Sequence, residues 1–252
     1  MLHDLLLKVQ RRASIYFASK VFRMQNQAPL VSITFDDVPD TAYINGASIL
    51  EEHGIRGTYY IAAGTCDTQD PICNWRVITL DQVRALHERG HEIGCHTFSH
   101  ANVERLGAAS MDEECRKNHN LLRRHCGDIQ LTNFAYPYGL VTLMRKLQPQ
   151  KRFDTCRGAR EGVNVGTIDL GLLKVIYLCN RTLTPEKLQR VLRETCDRNG
   201  WLIFRTHDVA DPPSIHGCTP KLLHSTIEIV QAMGLSCVTI RDALKHIGYV
   251  NV

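Results

Sequence analysis

Hydrophobic and polar positions change period repeatedly along the chain. Val31, Ile33 and Phe35 alternate with Ser32 and Thr34, the period of a strand. Short apolar runs recur near 57–62, 91–95, 132–136, 153–157, 174–178, 201–206 and 235–238. Segments with helical spacing lie near 41–53, 79–89, 111–126, 140–148, 185–198, 220–233 and 240–246. Several helix ends are chemically marked. Ser110 and Glu113 have capping-box spacing. Thr184-Pro185 and Thr219-Pro220 each set an N-cap hydroxyl before a first-turn proline, and Thr239 is a further cap. Gly54, Gly90 and Gly234 stand where a left-handed C-cap is wanted. Such alternation predicts an α/β fold on a parallel sheet or barrel.

The first strong strand ends in two adjacent carboxylates, Asp36 and Asp37, with Pro39 barring immediate helix. Two neighbouring acids repel, so a strand end gains little from them unless a divalent cation binds one and leaves the other as a base. A matching element follows, His91-Glu92-Ile93-Gly94-Cys95, ending in His96-Thr97-Phe98-Ser99-His100. The His-x-x-x-His spacing predicts two imidazoles on one side of a helical turn. Two His and one Asp make a three-ligand site with a position open for water.

Four segments resemble the polysaccharide deacetylases, the NodB-homology family also called carbohydrate esterase family 4. Thr34-Phe35-Asp36-Asp37 and His96-Thr97-Phe98-Ser99-His100 resemble the first two motifs, Phe134-Ala135-Tyr136-Pro137-Tyr138-Gly139 the third, and Thr206-His207-Asp208 the last. The resemblance implies a single irregular (β/α) barrel of seven or eight strands over residues 29–252, preceded by an extension over 1–28. It implies a metal-dependent deacetylase hydrolysing non-peptide amide bonds, with one divalent ion on Asp37, His96 and His100. Zinc suits mixed N/O ligands, and cobalt or nickel are alternatives. By the same resemblance Asp36 is the base, the Tyr138 backbone N–H stabilises the oxyanion, and His207 is the general acid. The family's third motif often carries Arg where this chain has Ala135. Arg157, or else Arg160, is the expected replacement beside Asp36, and Asp169 the expected partner of His207. Tyr136 and Tyr138 are expected as barrel-mouth packing or an apolar floor under a sugar ring.

Composition narrows the partners. A chain of 252 residues, 44% hydrophobic, can bury one large core. A net charge of +4 from scattered Lys and Arg argues against nucleic acid. The ten cysteines show no Cys-x-x-Cys pattern, and the early acid Asp4 spoils an export signal, so a reducing, cytoplasmic setting is expected. Cys66 and Cys73 share a loop and are the one candidate pair. Residues 5–24 read as an amphipathic helix, either capping the barrel floor or touching a membrane through Lys8, Arg11, Arg12 and Lys20. The expected substrate is an N-acetylated saccharide, as a glycan precursor. The alternatives are another linear or cyclic amide, or a non-catalytic carbohydrate-binding barrel.

Overall fold

The computed structural model describes residues 2–250, so residue 1 of the expected extension and the last two of the expected barrel segment lie outside the described residues. Ten strands and eight α-helices form among the described residues. The strands are β1 (Val21–Arg23), β2 (Leu30–Asp36), β3 (Thr58–Ile61), β4 (Glu92–Cys95), β5 (Asn133–Ala135), β6 (Thr155–Glu161), β7 (Thr167–Asp169), β8 (Leu173–Tyr177), β9 (Trp201–Thr206) and β10 (Ser236–Cys237). The helices are α1 (Leu2–Tyr16), α2 (Ser48–Glu52), α3 (Leu80–Glu88), α4 (Ala108–Cys126), α5 (Leu143–Lys146), α6 (Pro185–Asp197), α7 (Pro220–Ala232) and α8 (Ile240–His246).

Seven parallel strands close a ring in the order β2-β3-β4-β5-β6-β8-β9, and β9 returns to β2 from Leu30↔Trp201 to Phe35↔Thr206. β10 lies beside the ring, paired with Leu30 and Val31 of β2. β1 and β7 form a separate antiparallel pair. All eight anticipated strands are present, and the two short antiparallel ones were not anticipated. α4 begins three residues ahead of the Ser110–Glu113 signal, because Gly107 is the last extended residue, with ψ 167°. Thr79 and Gln82 form the capping box instead, at the start of α3. The helix expected over 140–148 is confined to α5, and a 3-10 turn follows from Pro149.

Which side chains point inward follows from contacts between strands that are not neighbours. Asp36 on β2 meets Arg157 on β6 and Arg205 on β9. β2 and β6 are not adjacent in the ring, so these side chains cross the interior. The strand period of two then turns Leu30, Ser32 and Thr34 inward as well, with Thr155, Trp201 and Ile203. The lower interior is apolar, where Leu30, Leu173, Trp201 and Ile203 pack with Ile240, Ala243, Leu244 and Ile247 of α8. Above this plug lies a polar belt. Thr58 donates to Glu92 at 2.7 Å, Asn133 donates to the other Glu92 oxygen, and Thr155 donates to Asn133 at 2.7 Å. Backbone N–H groups of α8 finish the belt, Ile240 onto Thr58 at 3.1 Å and Arg241 onto Glu92 at 3.0 Å.

The barrel floor is therefore plugged by α8, and the expectation that the N-terminal helix caps it is corrected. α1 is anchored to loops that leave the opposite, C-terminal strand ends. Arg11 pairs with Glu104 at 2.5 Å, and Ser14 donates to the Val141 carbonyl at 2.9 Å. Lys146 reaches the Ser14 carbonyl at 2.7 Å from α5. Lys20 is half-buried and donates to the Phe153 carbonyl at 3.0 Å, which gives this cation of the expected headgroup set a partner within the protein.

The polar belt sets a test of stability. Asn133→Leu strips partners from Glu92 and Thr155 at once. Each orphaned buried group costs about 1–3 kcal/mol, so urea unfolding should show a loss of at least about 2 kcal/mol. An unchanged midpoint would mean that the belt does not stabilise the barrel.

Candidate active site

β2, β4, β5 and β9 all end at one mouth, and their last residues carry the chemistry. Asp37 follows β2 directly, His96 follows β4, the 137–139 turn follows β5, and His207 follows β9. Ligand atoms of Asp37, His96 and His100 lie within 4.8 Å of one another. His100 Nε2 is 3.0 Å and His96 Nε2 3.4 Å from the same Asp37 oxygen. His96 donates from Nδ1 to the Ala135 carbonyl at 2.8 Å, which leaves its Nε2 lone pair aimed at Asp37. Two imidazole nitrogens and a carboxylate oxygen converging in this way fit a divalent cation.

The convergence is not made by a helical turn. Residues 96–100 form a loop in which Thr97 and His100 have φ of 62° and 53°. Asp37 and Tyr138 are also left-handed, with φ of 53° and 60°. Such backbone costs of order 1–3 kcal/mol per residue and persists only where surroundings enforce it. Here Glu114 of α4 enforces it, accepting from the backbone N–H of Phe98 at 2.9 Å and of Ser99 at 2.8 Å. At the 137–139 turn Gly139 is required, since a Cβ there would collide with Ala159.

Asp36 sits behind the cluster and is 2% exposed. Arg157 contacts one of its oxygens, and Arg205 Nε lies 2.8 Å from the other. It is Arg157, not Arg160, that meets Asp36. Arg157 lies within β6 rather than after it, as the register neighbour of Ala135. Burial opposes ionisation of Asp36, but Arg157 and then Arg205 outweigh it and hold the carboxyl at about 2.

Arg205 escaped the sequence reading. It links three groups: besides Asp36, it donates to the Tyr177 hydroxyl at 2.9 Å and to His207 Nε2 at 3.3 Å. The available signal was a lone cation inside the buried run of β9. His207 donates from Nδ1 to the His216 carbonyl at 3.2 Å. Burial, then Arg205, lowers its pKa to about 4, so its imidazole is neutral near pH 7. The expected partner Asp169 is elsewhere, paired with Lys146 and accepting from the Lys20 backbone at 3.0 Å. Asp208 organises its own loop, accepting from the Ser214 backbone at 2.7 Å.

A cavity of about 570 Å³ opens over these groups. Trp75, from the β3–α3 loop, stacks on His207 with centroids 6.0 Å apart, a wall that strand and helix periodicity gives no sign of. Tyr138 is 52% exposed at the rim, its ring 4.5 Å from that of His100. Tyr136 is buried packing, its hydroxyl donating to the Gly171 carbonyl at 3.2 Å.

The family model described as polysaccharide deacetylase matches residues 23–150, just over half of the chain. The chain belongs to the polysaccharide deacetylase family. Among curated proteins it is similar to the chitin deacetylase of Colletotrichum lindemuthianum, 26% identical over 227 residues, covering 86% of this chain and 80% of that protein. A chitooligosaccharide deacetylase of Azorhizobium caulinodans is 30% identical over 116 residues, 46% of this chain and 50% of that one. In fold this family member resembles the solved Colletotrichum lindemuthianum chitin deacetylase, with a TM-score of 0.60 at 20% identity over 90% of this chain and 91% of that one. A solved peptidoglycan N-acetylglucosamine deacetylase gives 0.63 at 15% identity over 92% and 96%. The seven-strand barrel of this polysaccharide deacetylase therefore has the architecture its motifs imply.

The depressed pKa of His207 sets a pH test. Between the unfolded value near 6.5 and the folded value of about 4, the unfolded chain binds a proton that the folded chain refuses. Stability must then fall as pH drops through that window, by up to about 3 kcal/mol from this one group. In metal-free protein, His207→Gln should flatten that part of the stability profile. Parallel profiles for the two proteins would contradict the burial of a neutral imidazole.

Proposed function

We propose that this family member hydrolyses the acetamide of an N-acetylated amino sugar, with a divalent cation on Asp37, His96 and His100. The observation that carries the reading is the convergence of those three ligands beside a carboxylate held by two arginines. A bound cation would polarise the acetamide carbonyl and acidify a water. Asp36 takes the proton of the attacking water. A pKa near 2 makes it a weak base, which the acidity of its donor offsets and its fixed position favours. Arg157 and Arg205 hold its two oxygens and fix its orientation. The Tyr138 N–H, in the left-handed turn after β5, donates to the developing oxyanion. His207 is the general acid: neutral at rest, it takes up on Nε2 the proton that Asp36 receives from the water and passes it to the leaving nitrogen. Its low pKa makes the protonated form a strong acid, and the His216 carbonyl keeps Nδ1 out of the exchange.

Zinc is the proposed ion, since two nitrogens and one oxygen are its usual company. The relatives named above support a short N-acetylglucosamine oligomer as substrate. All ten cysteines are free among the described residues, Cys66 and Cys73 included, which favours a reducing, cytoplasmic location. A non-catalytic sugar-binding barrel is the weaker reading, because Arg157 supplies the guanidinium whose absence at Ala135 was its main support.

Two variants separate binding from chemistry. His96→Ala should lose the metal, measured by elemental analysis of protein purified without chelator. Asp36→Asn should keep the metal while turnover on chito-oligomers falls by about two to four orders of magnitude. Full metal content in His96→Ala, or near-normal turnover in Asp36→Asn, would overturn the corresponding assignment.

A further inference from the structure

The outward face of α1 is not used by the candidate site. Its inward face carries Ser14, buried, and Arg11, tied to Glu104. On the far side Leu6, Val9, Tyr16 and Phe17 are 52%, 58%, 79% and 63% exposed. Steps of three and seven residues, with Phe17 adjoining Tyr16, set these four in one stripe along the helix. Lys8 and Arg12, one turn apart and both exposed, run along one edge of it. α5 packs beside α1, and its Met144 is 65% exposed. No helix among the described residues is long and apolar enough to cross a membrane, so a surface contact is the mode to consider.

An apolar stripe edged by cations has the chemistry of an anionic lipid surface. The rings and aliphatic chains enter the acyl boundary, while the ammonium and guanidinium groups stay level with phosphate. A second copy of the chain fits less well. In an antiparallel two-fold pairing through this face the cationic edges of the two copies lie along the same side and repel. We propose that α1 docks the protein on anionic bilayers through Leu6, Val9, Tyr16 and Phe17, with Lys8 and Arg12 at the headgroups. The anchors of α1 give the docking a direction. Glu104 lies four residues beyond His100, and Val141 two beyond Gly139, so the seated helix is tied to loops that carry the metal ligands and the 137–139 turn.

Vesicle flotation of the full chain tests the proposal. The protein should float with vesicles mixing phosphatidylcholine and phosphatidylglycerol, and stay behind with phosphatidylcholine alone. Lys8→Ala and Arg12→Ala should each weaken partitioning about fivefold, the equivalent of about 1 kcal/mol per cation. Val9→Glu with Tyr16→Glu should abolish flotation while turnover of a soluble chito-oligomer and the circular dichroism spectrum stay unchanged. No flotation on anionic vesicles, or equal flotation of wild type and the double variant, overturns the proposal. So does a concentration-dependent dimer in light scattering that the double variant dissolves, which would assign the stripe to a second copy.

Discussion

Asp36 is ionised and almost wholly buried, a state that costs several kcal/mol for an isolated carboxylate. Arg157 reaches it across the barrel from β6 and Arg205 from the adjacent β9, and the three groups can meet only if β2, β6 and β9 keep their mutual register. The remaining tilt of each guanidinium is set by aromatic faces, with Arg157 4.5 Å over the Tyr60 ring and Arg205 4.7 Å over that of Tyr177. Removing Asp36 leaves two buried guanidinium groups without a counter-charge, and removing either arginine leaves one carboxylate oxygen without its partner. The mouth of the barrel is therefore a single electrostatic unit, and the metal ligands are mounted on its edge.

The same unit separates the two carboxylates of the Asp-Asp pair. Asp36 points into the barrel and is neutralised by cations of the protein. Asp37, in left-handed backbone, turns toward the histidines. Burial raises its pKa, but His100 and then His96 beside it more than reverse this and keep it well below the usual carboxylate range. Two adjacent acids in sequence thus sit in different electrostatic environments, and their mutual repulsion is absorbed by different partners.

Much of this was legible from spacing. Strand runs and helix caps placed the eight strands to within a few residues, because buried parallel strands must be apolar and caps must satisfy backbone donors. Asp36, Asp37, His96 and His207 were legible because they stand at strand ends, and His100 through its spacing from His96. What stayed hidden depends on which strand faces which across the interior. Arg205 looked like one charge in a hydrophobic run, and only the ring closure of β9 onto β2 shows what it faces. Trp75 comes from a loop of no periodicity. The left-handed turns at Thr97 and His100 carry no glycine to announce them. Asp169 failed as a partner for His207 because it lies next to β1, a strand too short to leave a pattern.

Ala135 and Arg157 stand side by side, on adjacent strands at the same level of the barrel. A guanidinium expected on one strand is delivered by its neighbour, beside an alanine whose methyl takes up little of that space. Restoring arginine at 135 while keeping Arg157 would force two cations into that space. The two sites are thus alternatives, and any exchange between them must change both positions together. A motif search that demands arginine at the third motif would file such a chain among the degenerate ones, although the charge is in place.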